Sequence, residues 1–427
     1  MIILFLRIIS SMPTYYITTL NIAIPVFVSL ILIEILYAKM TEQGYVIRSM
    51  DTLSSLCSGL TNVIRDVLGL TLIVVSYGYL VENFALFNFE SSFLLYIIAF
   101  IGIDFAGYWV HRINHSINYF WNHHIIHHSS EEFNLACALR QSISNFFSLT
   151  FVFLIPTALL GIPAEIVTFL APIHLFAQYW YHTRLIGKLG FLEHIIVTPS
   201  HHRVHHAINK EYLDKNLSQV FIIWDKIFGT FQEELDDVPP VYGVKRPLRS
   251  WNPILINFSH LFLLFKDAWR TKSIIDKFRI WFMPTGWRPK DVNQKYPIES
   301  IDSPQDYEKY YPKLSMNLQI WSWIQYFITF CFMMYFINNL HFLSLLEGFV
   351  FASFLFISIY SLTSLMDKNS IAWIYELIRS VIGILCIFIF GEWFYSSTYF
   401  SVISNSLIIY FIFSSLISIY FLRTERN

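Results

Sequence analysis

The sequence predicts an all-α, polytopic membrane protein with a cytoplasm-facing, histidine-rich di-metal helical domain, on three observations. Hydrophobic residues make up 55% of the 427, aromatics 18% and charged residues only 14%, against roughly 25% charged in soluble domains. Apolar runs long enough to cross a hydrocarbon core of about 30 Å recur along the chain. The 15 histidines gather in tight groups, NHHIIHHSS from Asn122 and SHHRVHH from Ser200, with a further pair at His111 and His115.

In chain order, spans are expected at 14–37, 67–87 and 91–110, then at 318–338, 343–364, 371–392 and 398–422. A further apolar block from Phe146 to Tyr181, broken at Gly161, Ile162 and Pro163, reads as a tight helical hairpin that dips in and returns. The short apolar run around Arg7 lacks a small-residue cleavage site before Pro13 and passes straight into the first span, so it is expected to be retained. Four parts follow: N-terminal transmembrane helices over 1–90, a histidine-box domain over 91–260, a cytoplasmic or interfacial amphipathic segment over 261–317, and a four-helix transmembrane region over 318–427. Between 257 and 281 apolar and basic positions alternate as in an interfacial helix, for leaflet anchoring or lipid entry.

The formal net charge of −1 gives the whole chain no affinity for nucleic acid. Cys57, Cys137, Cys331 and Cys386 are scattered without C-x-x-C spacing, so no disulfide framework is expected. Of the 29 basic residues, 19 lie between His182 and Asn317, and the loop from Ala38 to Asp66 holds Lys39, Arg48 and Arg65. The positive-inside rule places both segments in the cytoplasm. Threading the spans then puts the turn after Val110, the segment after Tyr181 and the C-terminal RTERN on that side, so all histidine groups face one compartment.

Helical spacing groups the candidate ligands. Steps of three, four and seven bring Asp104, Tyr108, His111 and His115 onto one stripe. His124, His127 and His128 share a face, as do His202, His205 and His206, and His174, Gln178 and His182 form a fourth stripe. Brought together, the stripes would surround two metal ions with imidazole nitrogens. Asp104, an ionisable group within a span, is read as acceptor for a ligand imidazole or as partner of Arg112. Simpler roles suit other residues: interfacial anchoring or helix-end hydrogen bonding for His260 and His341, a capping box for Ser129 and Glu132, a helix start for Glu165. WDKIFGTF, from Trp224, reads as packing against the histidine domain. The sequons at Asn216 and Asn257 fall on the cytoplasmic side and are expected to carry no glycan.

Imidazole suits zinc, copper, iron or nickel alike, but a lone zinc needs only three or four ligands, and some nine histidines are present. A dinuclear site beside apolar substrate is suited to activating dioxygen against an unactivated C–H bond, which calls for a redox metal and hence iron. No P-loop, dinucleotide glycine fingerprint or H-E-x-x-H occurs. With no fused reductase or haem-binding region, electrons must come from an external donor.

H111-x3-H115, H124-x2-H127-H128 and H202-x2-H205-H206 resemble the three histidine boxes of the membrane fatty acid hydroxylase and sterol desaturase superfamily. The flanking words YWVHRINH, HHIIHHSSEEFNLACALRQS, WYHTRLIG, TPSHHRVHHAIN, NLSQVFIIWDKIFGTF and SWNP resemble its alkylglycerol monooxygenase branch, over most of the chain. That resemblance implies an iron-requiring, tetrahydrobiopterin-dependent oxygenase that hydroxylates the carbon beside the ether oxygen of an alkylglycerol or lyso-ether lipid, giving a fatty aldehyde and a glycerol derivative. It implies metal ligation by the eight box histidines and by His182 of the W-x-H-T element, with Glu131 and Asn134 of the S-S-E-x-x-N element in support. His202 rather than His201 is the expected ligand, and His123 a bystander. Ser116 stands where that branch is expected to place a glutamate, which bears on pterin dependence. The membrane is expected to be the endoplasmic reticulum for a eukaryotic source and the inner membrane for a bacterial one. Two rivals remain at this point: a sterol or fatty acyl hydroxylase or desaturase of the same superfamily, and a metal transporter.

Overall fold

The computed structural model describes residues 14–44, 47–69, 76–146, 149–396 and 402–425; the run before Pro13 lies outside them. Among these residues there is no strand, only three isolated bridges, and helices carry the architecture. Helix α1, Thr14–Met40, is the first membrane-length helix. Its Glu34 carboxylate accepts from Thr183 Oγ1 at 2.6 Å and from the Leu135 N–H at 2.8 Å, fastening the span to the histidine-bearing loops.

Helix α2, Ser49–Val67, occupies a segment expected to be a cytoplasmic loop. Met50, Leu53, Cys57, Leu60, Ile64 and Val67 recur at helical spacing and bury against the C-terminal helices, each large side chain contributing about 1.5–3 kcal/mol. The polar side of α2 meets the histidine domain: Ser54 Oγ donates to the Trp251 carbonyl at 2.7 Å, and Ser55 Oγ accepts from Arg140 Nε at 2.9 Å. The expected span over 67–87 is not among the six membrane-length helices of the described residues. Residues 68–69 form a turn, 70–75 lie outside the described residues, and α3, Tyr77–Phe84, is only eight residues long.

Helix α4, Phe93–Ser116, is the second span and carries the first two histidines at its far end. A one-turn helix, α5, Ile125–His128, follows. The apolar block after Phe146 is broken at Gly161 as expected: short helices at Thr150–Phe153 and Ile155–Leu159, a turn at Gly161, then α6, Ala164–Phe176, with Glu165 in its first turn. Gly161 sits at φ +77°, and a Cβ there would lie 1.9 Å from the Phe87 carbonyl oxygen, so only glycine closes this turn. At 13 residues α6 is about 20 Å long, too short to span.

Helices α7, Pro199–His205, and α8, Ile223–Phe228, complete the histidine domain. The expected interfacial helix over 257–281 is two helices, α9, Pro253–Arg270, and α10, Ile274–Arg279. Asn252 caps the first, and Ser273 restarts the second by accepting from the Asp276 N–H. The last four spans are α11, Met316–Asn339, α12, Leu345–Met366, α13, Ala372–Phe390, and α14, Ile403–Thr424. Asp367 ends α12 and accepts from Ser250 Oγ, the Trp251 N–H and Tyr310 Oη, tying this bundle to the histidine domain.

Candidate metal centre

The last turns of α4, the loop and single turn around α5, the chain after α6, and α7 converge so that nine imidazoles form two groups. His111, His115, His124, His128 and His205 make one; His127, His182, His202 and His206 make the other, with each group's ligating nitrogens within 4.8 Å of one another. All nine candidate ligands are therefore together, but the shared faces expected for the second and third boxes are divided. Residues four apart, His111/His115, His124/His128 and His202/His206, stay in one group, while the intervening His127 and His205 cross to the other. His128 and His206 stack at a 4.3 Å centroid distance where the groups meet.

The outward-facing ring nitrogens determine what the inward-facing ones present. His111 Nδ1 donates to the Leu217 carbonyl at 2.7 Å, His205 Nδ1 to the Lys215 carbonyl at 3.0 Å, His127 Nδ1 to the Arg140 carbonyl at 3.2 Å, and His182 Nδ1 to the Gln178 carbonyl at 3.0 Å. His115 Nδ1 meets Asp214 Oδ1 at 3.1 Å. A neutral imidazole whose Nδ1 carries the proton offers a bare lone pair at Nε2. His127 and His182 thus point Nε2 lone pairs at each other across 3.3 Å with no proton between them. In the same group His202 Nε2 lies 2.8 Å from His182 Nε2 and 3.0 Å from His206 Nε2. In the other, the buried Nε2 atoms of His115, His128 and His205 have no hydrogen-bond partner.

Burial, reinforced by neighbouring imidazoles, keeps these rings neutral: it lowers His127 to about 3 and holds His124, His128, His182, His202, His205 and His206 well below the usual histidine value. Converging lone pairs that cannot take up protons repel one another, and a cation resolves the repulsion. The donor set fits metal ions, and nine nitrogens exceed what one tetrahedral site uses.

Other expected residues fall outside the clusters. Asp104, fully buried, accepts from His174 Nε2 at 2.8 Å, from the Val220 and Phe221 N–H groups and from Trp224 Nε1. It supports no ring of either group, and Arg112 donates instead to Tyr108 Oη. The reason is direction: Asp104 lies two helical turns from His111 and meets the hairpin and the segment before α8. Glu131 accepts from Tyr307 Oη at 2.7 Å and from the Tyr310 N–H, and Asn134 Oδ1 from the Ala136 N–H at 3.1 Å, so both organise chain.

Ser129 and Glu132 form no capping box, because the turn ends at Ser129 and no helix starts there; Glu132 pairs with Arg48 and Lys309. His201 caps α7 with Thr198, and His123 packs edge-on against Tyr119 and Phe120. His260 Nε2 meets the Asn118 carbonyl at 3.0 Å. Asn216 and Asn257 are wholly buried and hydrogen-bonded, which closes both sequons in the folded chain. Sequence reasoning missed Arg140, whose carbonyl orients His127 and whose guanidinium holds Asp51, Ser55 and Ser129. An arginine directly after an apolar turn, in CALRQS, was the available signal.

The fatty acid hydroxylase family model matches residues 96–230, a stretch that contains all nine clustered histidines. Alkylglycerol monooxygenase of Homo sapiens is 34% identical over 372 residues, covering 87% of this chain and 82% of the relative. That of Danio rerio is 33% identical, covering 86% and 81%, and that of Xenopus tropicalis 32%, covering 80% and 76%. No solved structure matches. With nine converging imidazoles and kinship over most of its length, the chain belongs to the alkylglycerol monooxygenase family and is a membrane lipid monooxygenase.

Proposed function

We propose that the chain is a di-iron oxygenase that hydroxylates the carbon next to the ether oxygen of alkylglycerols and lyso-ether lipids. One oxygen atom of O2 enters the C–H bond and the other leaves as water, with two electrons and two protons drawn from tetrahydrobiopterin as the external donor. The resulting hemiacetal breaks its C–O bond to release a fatty aldehyde and the free glycerol hydroxyl. The observation that carries this reading is the pair of imidazole clusters, in which the Nε2 atoms of His127 and His182 face each other and those of His115, His128 and His205 lack a partner. The relatives' name supplies the substrate class.

A pair of iron ions held by the two clusters would supply the activation of dioxygen and the oxidation of an unactivated C–H bond. The chain's own contribution is to keep seven of the nine rings neutral by burial, to fix the tautomers of His111, His127, His182 and His205 through main-chain carbonyls, and to exclude water from the ring nitrogens. Lipid access fits the surface of α9 and α10, where Phe262, Phe265, Trp269, Ile274, Ile275 and Phe278 are all more than half exposed beside Lys266 and Arg270. The concentration of basic residues between 183 and 317 supports a cytoplasmic face for the clusters, in the endoplasmic reticulum of a eukaryote or the inner membrane of a bacterium.

Ser116, at the position where a glutamate is expected, favours a second reading, a hydroxylase of another lipid or one with another donor: its hydroxyl donates back to the Arg112 carbonyl, and no carboxylate stands there. A metal transporter is disfavoured, since among the described residues no group of three potential ligands lies in the last four spans. Membranes containing the chain are expected to release fatty aldehyde from an alkylglycerol only with O2 and tetrahydrobiopterin, and His128→Ala to abolish release. Iron-loaded protein that makes no aldehyde would sink the ether-lipid assignment.

A further inference from the structure

The five-residue segment Asp214–Ser218 supplies the outer hydrogen-bond partner for three of the five rings in the first cluster. Asp214 Oδ1 meets His115 Nδ1, the Lys215 carbonyl accepts from His205 Nδ1, and the Leu217 carbonyl accepts from His111 Nδ1. Three acceptors within four residues require an unusual backbone: Asp214 and Asn216 both lie in the left-handed region, at φ +56° and +52°, where non-glycine residues are held at a cost. Two buried side chains hold them. Asp225, wholly buried on α8, accepts from the Leu217 N–H at 2.7 Å, the Ser218 N–H at 2.8 Å and Thr230 Oγ1 at 2.6 Å. Asn216 donates to the His201 and Gln232 carbonyls and accepts from the Gln232 N–H.

The same frame closes back onto the first box. Thr230 Oγ1 meets Tyr108 Oη at 3.0 Å, and Tyr108 lies one turn before His111 on α4. Gly107 leaves room for the segment's continuation, since a Cβ there would lie 1.9 Å from Gln219 Oε1. The second cluster takes none of its outer partners from this segment: His127 uses the Arg140 carbonyl, and His182 the Gln178 and Tyr179 carbonyls.

We propose that Asp225, with Asn216, is a positioning residue that holds Asp214–Ser218 as a rack of acceptors, fixing the tautomers of His111, His115 and His205 and so the metal affinity of the first cluster alone. This rests on the reading of both clusters as metal sites. Outer partners of ligand imidazoles typically carry about 10–100-fold in metal affinity.

The test uses purified full-length protein and ferrous iron with a competing chelator. Asp225→Asn keeps the volume but turns one acceptor into a donor aimed at N–H groups. In a His182→Ala background, which leaves the first cluster whole, it is expected to lower iron affinity about 10–100-fold. In a His205→Ala background, which leaves the second whole, the affinity is expected to stay as it was. Equal loss in both backgrounds, or no loss in the first, overturns the inference while leaving the metal sites standing. If the unsubstituted chain holds no iron, the reading of the clusters falls and the rack falls with it. Should Asp225→Asn fail to fold, Thr230→Val removes one donor from Asp225 and is expected to give a smaller loss at the first cluster only; a loss shared by both clusters would again refute the rack.

Discussion

Two buried polar regions of this chain invite comparison: the histidine centre and the Glu376–Arg379 pair between the last spans. Glu376 and Arg379 are 4% and 1% exposed. The carboxylate takes hydrogen bonds from Arg379, Ser361 and Ser414, and the guanidinium donates also to Tyr410 Oη and Ser414 Oγ. Tyr410 continues to Gln325, which returns to Ser414. Opposite charges and matched donors close this circuit, leaving only Arg379 Nε without a partner. The histidine centre instead gathers acceptors of one kind and leaves them facing one another. Burial of polar groups alone therefore does not mark a site in a membrane protein; convergence of groups that nothing in the chain can satisfy does.

The sharpest way to break that contrast is to remove one ring. His127→Ala is expected to lower lipid oxygenation by at least about a thousand-fold, beyond the 10–100-fold typical of outer partners, with iron lost from the second cluster on metal analysis. Retained activity would mean that the clusters are packing. In the C-terminal bundle, Glu376→Ala is expected to cost about 3–5 kcal/mol of stability, read by denaturation in detergent, because it strands a buried guanidinium. The double replacement Glu376→Leu with Arg379→Met should recover most of that loss, and both variants should keep their iron. Iron loss from either would merge the two regions into one.

Acid tests the same contrast on metal-free protein. His127 is lowered to about 3 in the folded chain against about 6.5 unfolded, so the unfolded state binds the extra proton. Stability is then full above pH 6.5 and is lost as pH falls from 6.5 towards 3. Bound metal should shift the loss to lower pH at matched protein concentration, and a thermal-unfolding series with and without iron checks both halves. The smallest effect is expected from Glu131→Gln, which weakens the seat of Tyr307 and Tyr310 by about 1 kcal/mol while iron stoichiometry holds; iron loss there would give Glu131 a direct part in the centre.

Much of this was legible from residues near one another in the chain. Six of the expected spans and the break at Gly161 were readable because spanning length and turn chemistry are local properties. Each pair of histidines four apart was readable as a unit for the same reason, since one helical turn fixes it. The second expected span failed because an apolar run shows hydrophobicity without showing whether one helix carries it. Helix α2 stands where a loop is expected although its apolar residues recur at 50, 53, 57, 60, 64 and 67, because it is an amphipathic helix and not an apolar span.

The sequence by itself determined that the chain is helical and membrane-bound and that nine of its histidines are candidate ligands. Only the tertiary structure decided that His127 and His205 change groups, that Asp104 serves His174, and that the Lys215 and Leu217 carbonyls accept from His205 and His111. Those outcomes depend on how α4, α5 and α7 meet across separations of up to about a hundred residues, and no local periodicity encodes such a meeting.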